Sequence, residues 1–165
     1  MTTRRNLLFG AAFGALAGAG AWSAFTASGA PSSPAKTYEV NHTDSEWQRM
    51  LSPAAYEVLR HADTERPYSS PLNEEHRSGT FTCAGCAQSL FASTTKFDSG
   101  TGWPSFYRAL EKAVVEKTDN TMGMARTEVL CSRCGGHLGH VFDDGPQPTG
   151  LRYCMNGVAM GFTPA

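Results

Sequence analysis

Five cysteines and two histidines carry most of the chemistry open to this chain. Cys83-Ala84-Gly85-Cys86 and Cys131-Ser132-Arg133-Cys134 repeat one spacing, two thiols separated by two residues. A tight turn with that spacing aims both sulfurs at one point, and two such turns facing each other supply four thiolates. Zinc prefers a tetrahedron of this kind in structural sites, which have no open position for water and so hold the fold without doing chemistry. One structural Zn2+ per chain, held by Cys83, Cys86, Cys131 and Cys134, is the expected cofactor. Two disulfides, or a redox-active Cys-x-x-Cys couple, use the same spacing and remain open. Gly85 and Gly135 sit where these turns are expected to need a residue without a Cβ.

Cys154, in the stretch "LRYCMN", is left without a partner. An odd thiol is an inert buried side chain, a bridge to another chain, or a reactive group. His137 and His140 follow the second knuckle directly, and Pro146, Pro148 and Gly150 lie between them and Cys154. Those turn residues read as a hairpin loop, which would lay the Cys154 strand beside the histidine strand. Imidazole and thiol would then share a face, an arrangement that activates a sulfur nucleophile. Taken alone, His137 also reads as a satisfied core or metal-neighbouring histidine. Trp103, in "GTGWPSF", reads as a core aromatic on a backbone bent by Gly100 and Gly102.

The elements that must position these groups are short. Thr43-Asp44-Ser45-Glu46 fits a capping box, with Trp47, Met50 and Leu51 at helical spacing behind it. Ser52-Pro53 starts a second helix whose pattern ends near Arg60. Beyond Pro67 come β-friendly runs at 79–82, 113–115, 126–130 and 141–142, separated by turn signals. The spacing predicts two short helices leading into a small antiparallel β domain.

Residues 1–30 read as a targeting segment: Arg4-Arg5, a Gly/Ala-rich apolar run, then Ser28 and Ala30 placed like a cleavage site. The paired arginines look like a twin-arginine export signal, which makes the expected location the bacterial periplasm. A transmembrane anchor is the alternative. The expected organisation is signal 1–30, linker 31–42 and folded domain 43–165. Hydrophobic content of 41% and charged content of 18% fit a globular chain, not a disordered one. A formal net charge of −1 supplies no basic surface, so nucleic acid is not an expected partner.

Three motifs in order, "KFDSGTGWPSF" (96–106), "MARTEVLCSRCGGHLGHVFDDGP" (124–146) and "PTGLRYCMN" (148–156), resemble those of the methionine-R-sulfoxide reductases, the MsrB family. The resemblance spans about residues 43–163 and includes "TERPYSSPL". It implies a mainly β fold of two antiparallel sheets, with the short N-terminal helices outside and the zinc site away from the active site. By the same resemblance Cys154 is the nucleophile and Asn156 holds the hydrogen-bond network. His140 is the proton donor, His137 its support, and Trp103 receives the substrate methyl group. The four knuckle cysteines are the zinc ligands.

The implied substrate is oxidised methionine in proteins, peptides or free, with a sulfenic acid intermediate. Many members carry a resolving cysteine two residues before the tryptophan; here that position is Thr101. With no internal thiol left over, a thioredoxin-like or other external thiol is the expected reductant, acting on a monomer. A zinc-stapled binding module and a Cys-His hydrolase are the competing readings, the latter lacking any sign of an oxyanion hole.

Overall fold

The structure, a computed structural model, describes residues 37–165; the signal read at 1–30 and the linker as far as residue 36 lie outside the described residues. Helix α1 (Asp44–Met50) begins as its capping box requires, with the Glu46 carboxylate accepting from the Thr43 N–H at 2.7 Å. Helix α2 (Pro53–His61) starts on Ser52, whose hydroxyl accepts from the Ala55 N–H at 3.2 Å, and ends on Ala62 in the left-handed conformation. Its buried face is Ala55, Tyr56, Val58 and Leu59. Among the described residues no helix is long and apolar enough to cross a membrane.

The rest is β. The strands are β1 (Gly79–Cys83), β2 (Ser89–Ala92), β3 (Lys96–Phe97), β4 (Ser105–Phe106), β5 (Val114–Asp119), β6 (Arg126–Cys131), β7 (His137–Phe142), β8 (Arg152–Met155) and β9 (Met160–Pro164). They form two antiparallel sheets, one ordered β2-β1-β9 and the other β3-β4-β8-β7-β6-β5. The mainly β fold expected from the sequence is thus present, with the helices preceding it.

An aromatic joint locks the two sheets together. Phe81 of β1 and Phe91 of β2 meet Phe106 of β4, with ring centroids 4.8 and 4.3 Å apart. Tyr153 of β8 completes the set at 5.7 Å from Phe91. Phe81, Phe91 and Phe106 are fully buried, so each contributes roughly 1.5–3 kcal/mol of burial, with the edge and stacked geometries adding to that. The joint backs the middle of the six-stranded sheet and leaves the opposite face of that sheet open for chemistry.

Residues 37–42, the end of the segment read as a linker, lie against the second knuckle. The Val40 N–H donates to the Arg133 carbonyl at 3.0 Å, Glu39 pairs with Arg133 at 2.9 Å, and a Cβ on Gly135 would strike the Tyr38 ring.

Candidate active site and metal centre

The two knuckles are built alike. In each, the N–H four residues after the first cysteine donates to that cysteine's carbonyl, Ala87 to Cys83 at 2.8 Å and Gly135 to Cys131 at 2.9 Å. The first cysteine's own N–H donates to the carbonyl five residues on, Gln88 and Gly136 respectively. The turn needs a left-handed residue, and Ala87 (φ 57°) and Gly135 (φ 70°) supply it. Gly85 therefore does not play the role expected of it; the residue of the first knuckle that matches Gly135 is Ala87. Gly85 instead lies under Trp47 and Leu59, and Leu59 also covers Gly136, so the two helices roof the cysteines.

The four sulfurs lie within 4.8 Å of one another, and all four cysteines are free thiols, so the disulfide reading is set aside. Cross-knuckle separations are 3.7 Å for Cys83–Cys134 and 3.5 Å for Cys86–Cys131. Metal–sulfur bonds of about 2.3 Å in a tetrahedron require sulfurs about 3.8 Å apart, so these residues fit a tetrahedral metal ion.

On the open face of the six-stranded sheet, one row of paired residues crosses five strands: Lys117, Glu128, His140, Cys154 and Ser105. His140 and Cys154 are direct cross-strand partners, which sets their Cβ atoms about 5 Å apart. The hairpin expected between 140 and 154 is formed. The alternation of β8 turns Tyr153 and Met155 to the core and Arg152 and Cys154 outward.

His137 and His140 are three apart and belong on opposite faces of a regular strand. The register slips by one between Val129 and Leu130, because Leu138 is an extra residue in β7 with no partner on β6. That bulge returns His137 to the face of His140, and the rings lie 5.4 Å apart, nearly edge-on. Gly139 is required beside it, since a Cβ there would overlap the Cys154 carbonyl. The bulge also leaves the Leu138 carbonyl available, and Asn156 takes it with its backbone N–H at 2.8 Å and its side-chain amide at 3.2 Å.

Each histidine is held by a carboxylate of the same sheet, His137 from adjacent β6 and His140 from β5, two strands away. His137 Nδ1 meets Glu128 at 2.8 Å and His140 Nε2 meets Asp119 at 2.9 Å. Asp119 also accepts from the Thr121 hydroxyl at 2.6 Å and from Arg126 at 2.7 Å. Led by the Thr121 bonds, these contacts hold its carboxyl well below the usual range. His137 is 4% exposed, and burial pushes its imidazole pKa down against the pull of Glu128. With Nε2 of His140 engaged, Nδ1 is its remaining proton site.

Cys154, His140, Trp103 and Asn156 line one cleft of about 170 Å³, together with Thr64, Arg126, Gly139 and Phe142. His137 does not line it and stands one place back. Glu65 ties two walls of the cleft together: its carbonyl accepts from Trp103 Nε1 at 3.1 Å and its N–H donates to Asn156 Oδ1 at 3.0 Å. Its carboxylate accepts from the Gly157 and Val158 N–H groups.

The Cys154 sulfur is half-buried, and burial pushes its pKa up. Thr101 and Arg152 oppose that rise. Arg152 is itself fixed by a bidentate pair to Asp144 at 2.7 and 2.8 Å and lies over the Phe142 ring at 4.4 Å. Sequence reading missed Glu65, Asp119, Arg126, Glu128 and Arg152 as site residues. Arg152 alone had a local signal, lying two residues from the thiol on a strand.

Residues 51–164 match the family model described as the SelR domain. A peptide methionine sulfoxide reductase MsrB of Leptospira interrogans is 52% identical over 126 residues, covering 76% of this chain and 96% of that protein. Proteins of the same name from Thiobacillus denitrificans and Bradyrhizobium diazoefficiens are 56% and 53% identical. Those alignments cover 74% and 81% of this chain, and 93% and 99% of the respective relatives.

Proposed function

The chain belongs to the SelR-domain family of peptide methionine sulfoxide reductases, MsrB, and on that premise we propose that it reduces the R epimer of methionine sulfoxide, repairing oxidised proteins. Methionine sulfoxide has two epimers, each with its own reductase. The observation that carries the reading is the half-buried Cys154 thiol paired across strands with His140 in a cleft walled by Trp103.

The Cys154 thiolate attacks the sulfoxide sulfur, and His140 delivers a proton to the sulfoxide oxygen, which makes the sulfur electrophilic. General acids of this kind contribute about 10²–10⁴-fold. Oxygen passes to Cys154: the methionine S–O bond breaks, methionine sulfur gains two electrons, and Cys154 becomes a sulfenic acid. The Trp103 indole receives the S-methyl group and so sets the epimer. Asn156 keeps the cleft's floor in register through Leu138 and Glu65, and His137 supports His140 from behind.

Thr101 stands where a resolving thiol would be, so an external thiol completes the cycle. One thiol displaces water from the sulfenic acid to form a mixed disulfide, and a second releases Cys154 and a disulfide. Zinc, held by Cys83, Cys86, Cys131 and Cys134, supplies a structural cross-link when bound and no chemistry. We read the protein as exported by the twin-arginine route, with 1–30 as signal, 31–42 as linker and 43–165 as the catalytic domain. It then works in the periplasm as a monomer.

Incubation with a racemic peptide methionine sulfoxide and dithiothreitol tests this. Chiral chromatography should show the R epimer consumed and the S epimer untouched. No turnover by fully metallated protein would favour a zinc-stapled binding module.

A further inference from the structure

Beyond the paired histidines, a second set of groups reaches the Cys154 sulfur from the β4 side, and all of it is hydroxyl. Thr101 Oγ1 lies 3.9 Å from Cys154 Sγ, Ser99 Oγ lies 2.8 Å from Thr101 Oγ1, and Ser105 Oγ lies 2.7 Å from Ser99 Oγ. Ser105, fully buried, donates to the Trp103 carbonyl at 3.1 Å.

Each hydroxyl has one hydrogen, so the directions follow. With Ser105 committed to Trp103, Ser99 must donate to Ser105. In the neutral state Thr101 then donates to Ser99, and the Cys154 S–H points at Thr101. When the thiol loses its proton, one rotation of the Thr101 hydroxyl turns its hydrogen onto the sulfur. The Ser99–Ser105 link stays as it was. The rotation exchanges a neutral hydrogen bond for a charge-assisted one.

We propose that the Thr101 hydroxyl is a catalytic hydrogen-bond donor to the Cys154 thiolate, the last member of a three-hydroxyl relay that lets a sheltered thiol ionise. This deepens the reading of Cys154 as the nucleophile and rests on it.

Two further features support the role. The backbone at Thr101 is bent by Gly100 and Gly102, both at positive φ, and clamped on both sides. Tyr68 donates its N–H to the Gly102 carbonyl and its hydroxyl to the Gly100 carbonyl, both at 2.7 Å, and Asn73 adds a bond to Gly102 at 2.9 Å. The relay therefore works from a fixed base. The charged groups around the sulfur lie elsewhere: His140 on β7, Arg126 at the end of β6, and Arg152 on β8, paired with Asp144. Arg152 spends its Nε and Nη2 donors on Asp144 and also favours the thiolate, so Thr101 is the neutral donor acting beside it. Burial raises the Cys154 pKa, and the Thr101 hydrogen bond opposes it together with Arg152.

The experiment follows iodoacetamide alkylation of Cys154 against pH in metallated full chain, read on the Cys154 peptide by mass spectrometry. Thr101→Val should raise the midpoint by about one pH unit, a tenfold loss of thiolate at fixed pH. Thr101→Ser should keep the wild-type midpoint. Ser99→Ala removes the neutral acceptor that competes for the Thr101 hydrogen, so it should lower the midpoint. An unchanged midpoint in Thr101→Val overturns the relay. So does a rise in both Thr101→Val and Ser99→Ala, which would mark looser packing. The readout does not depend on turnover. A wild-type protein that fails to reduce the R epimer would sink the functional reading while these midpoints still judge Thr101.

Discussion

The knuckle sulfurs and the Cys154 sulfur are sheltered by the same small domain yet kept in opposite company. Each knuckle sulfur faces three others within 4.8 Å under a roof of Trp47 and Leu59. Ionised thiols so placed repel one another unless a doubly charged ion sits among them. Cys154 faces a hydroxyl, an imidazole across the strand and a guanidinium already paired with Asp144. With such an ion bound, the first arrangement would satisfy sulfur completely and make it inert. The second satisfies it only in part, which is what a nucleophile needs. The register keeps the two apart. Leu130, next to Cys131, pairs with His137, and His140 lies three residues further along β7, about 10 Å.

The sharpest way to break this contrast is at the cluster. Chelation of the metal, or Cys131→Ser, should abolish the cooperative thermal transition and open the remaining knuckle thiols to alkylation. Structural zinc contributes about 10–16 kcal/mol in small peptides, comparable to the roughly 5–15 kcal/mol stability of a whole domain. A metal-free protein that melts like the wild type would show the cluster is not the staple. At Cys154 the effect should move from stability to rate. Cys154→Ser should lose on the order of 10³-fold or more in R-sulfoxide turnover while calorimetry and metal content stay at wild-type values.

A smaller effect is expected one step back from the sulfur. Asp119→Asn should lower turnover about tenfold, a fraction of what a general acid supplies, with the metal retained. Asp119 is held ionised in the fold, so its contribution to stability is full above the ordinary carboxylate range and is lost as pH falls. The melting difference between wild type and Asp119→Asn should therefore be present at pH 7 and shrink towards pH 3. The smallest expected effect is at His137. Burial lowers its pKa, so the unfolded chain binds the proton more readily, and stability should decline as pH falls below about 6.5. His137→Asn should flatten that slope in melting curves recorded from pH 7.5 to 5.

Much of this arrangement could be read from local signals. Thr43 with Glu46, Pro53 after Ser52, the repeated knuckles and the Pro/Gly-rich turn before Cys154 each depend on neighbours in the chain, and each element formed there. What could not be read depends on distance. β3 and β4 are two residues each, too short to show any alternation, yet they carry the sheet to its edge and supply Ser105. Glu65 meets Trp103 and Asn156, far along the sequence, through its backbone, which no side-chain pattern reports. β6 and β7 bury three consecutive residues at their cluster ends, where α2 packs on β7, so the usual alternation disappears.

The added residue in β7 has a consequence for how this protein tolerates changes of length. Leu138 fills the interior with its side chain, while its carbonyl tethers the segment that follows Cys154. Shortening the histidine pair by one would still leave both rings facing outward, yet the pleat would straighten and that tether would be withdrawn. Such a deletion should spare the alignment of the imidazoles and loosen the chain just past Cys154, a lesion that no inspection of the histidines alone would foretell.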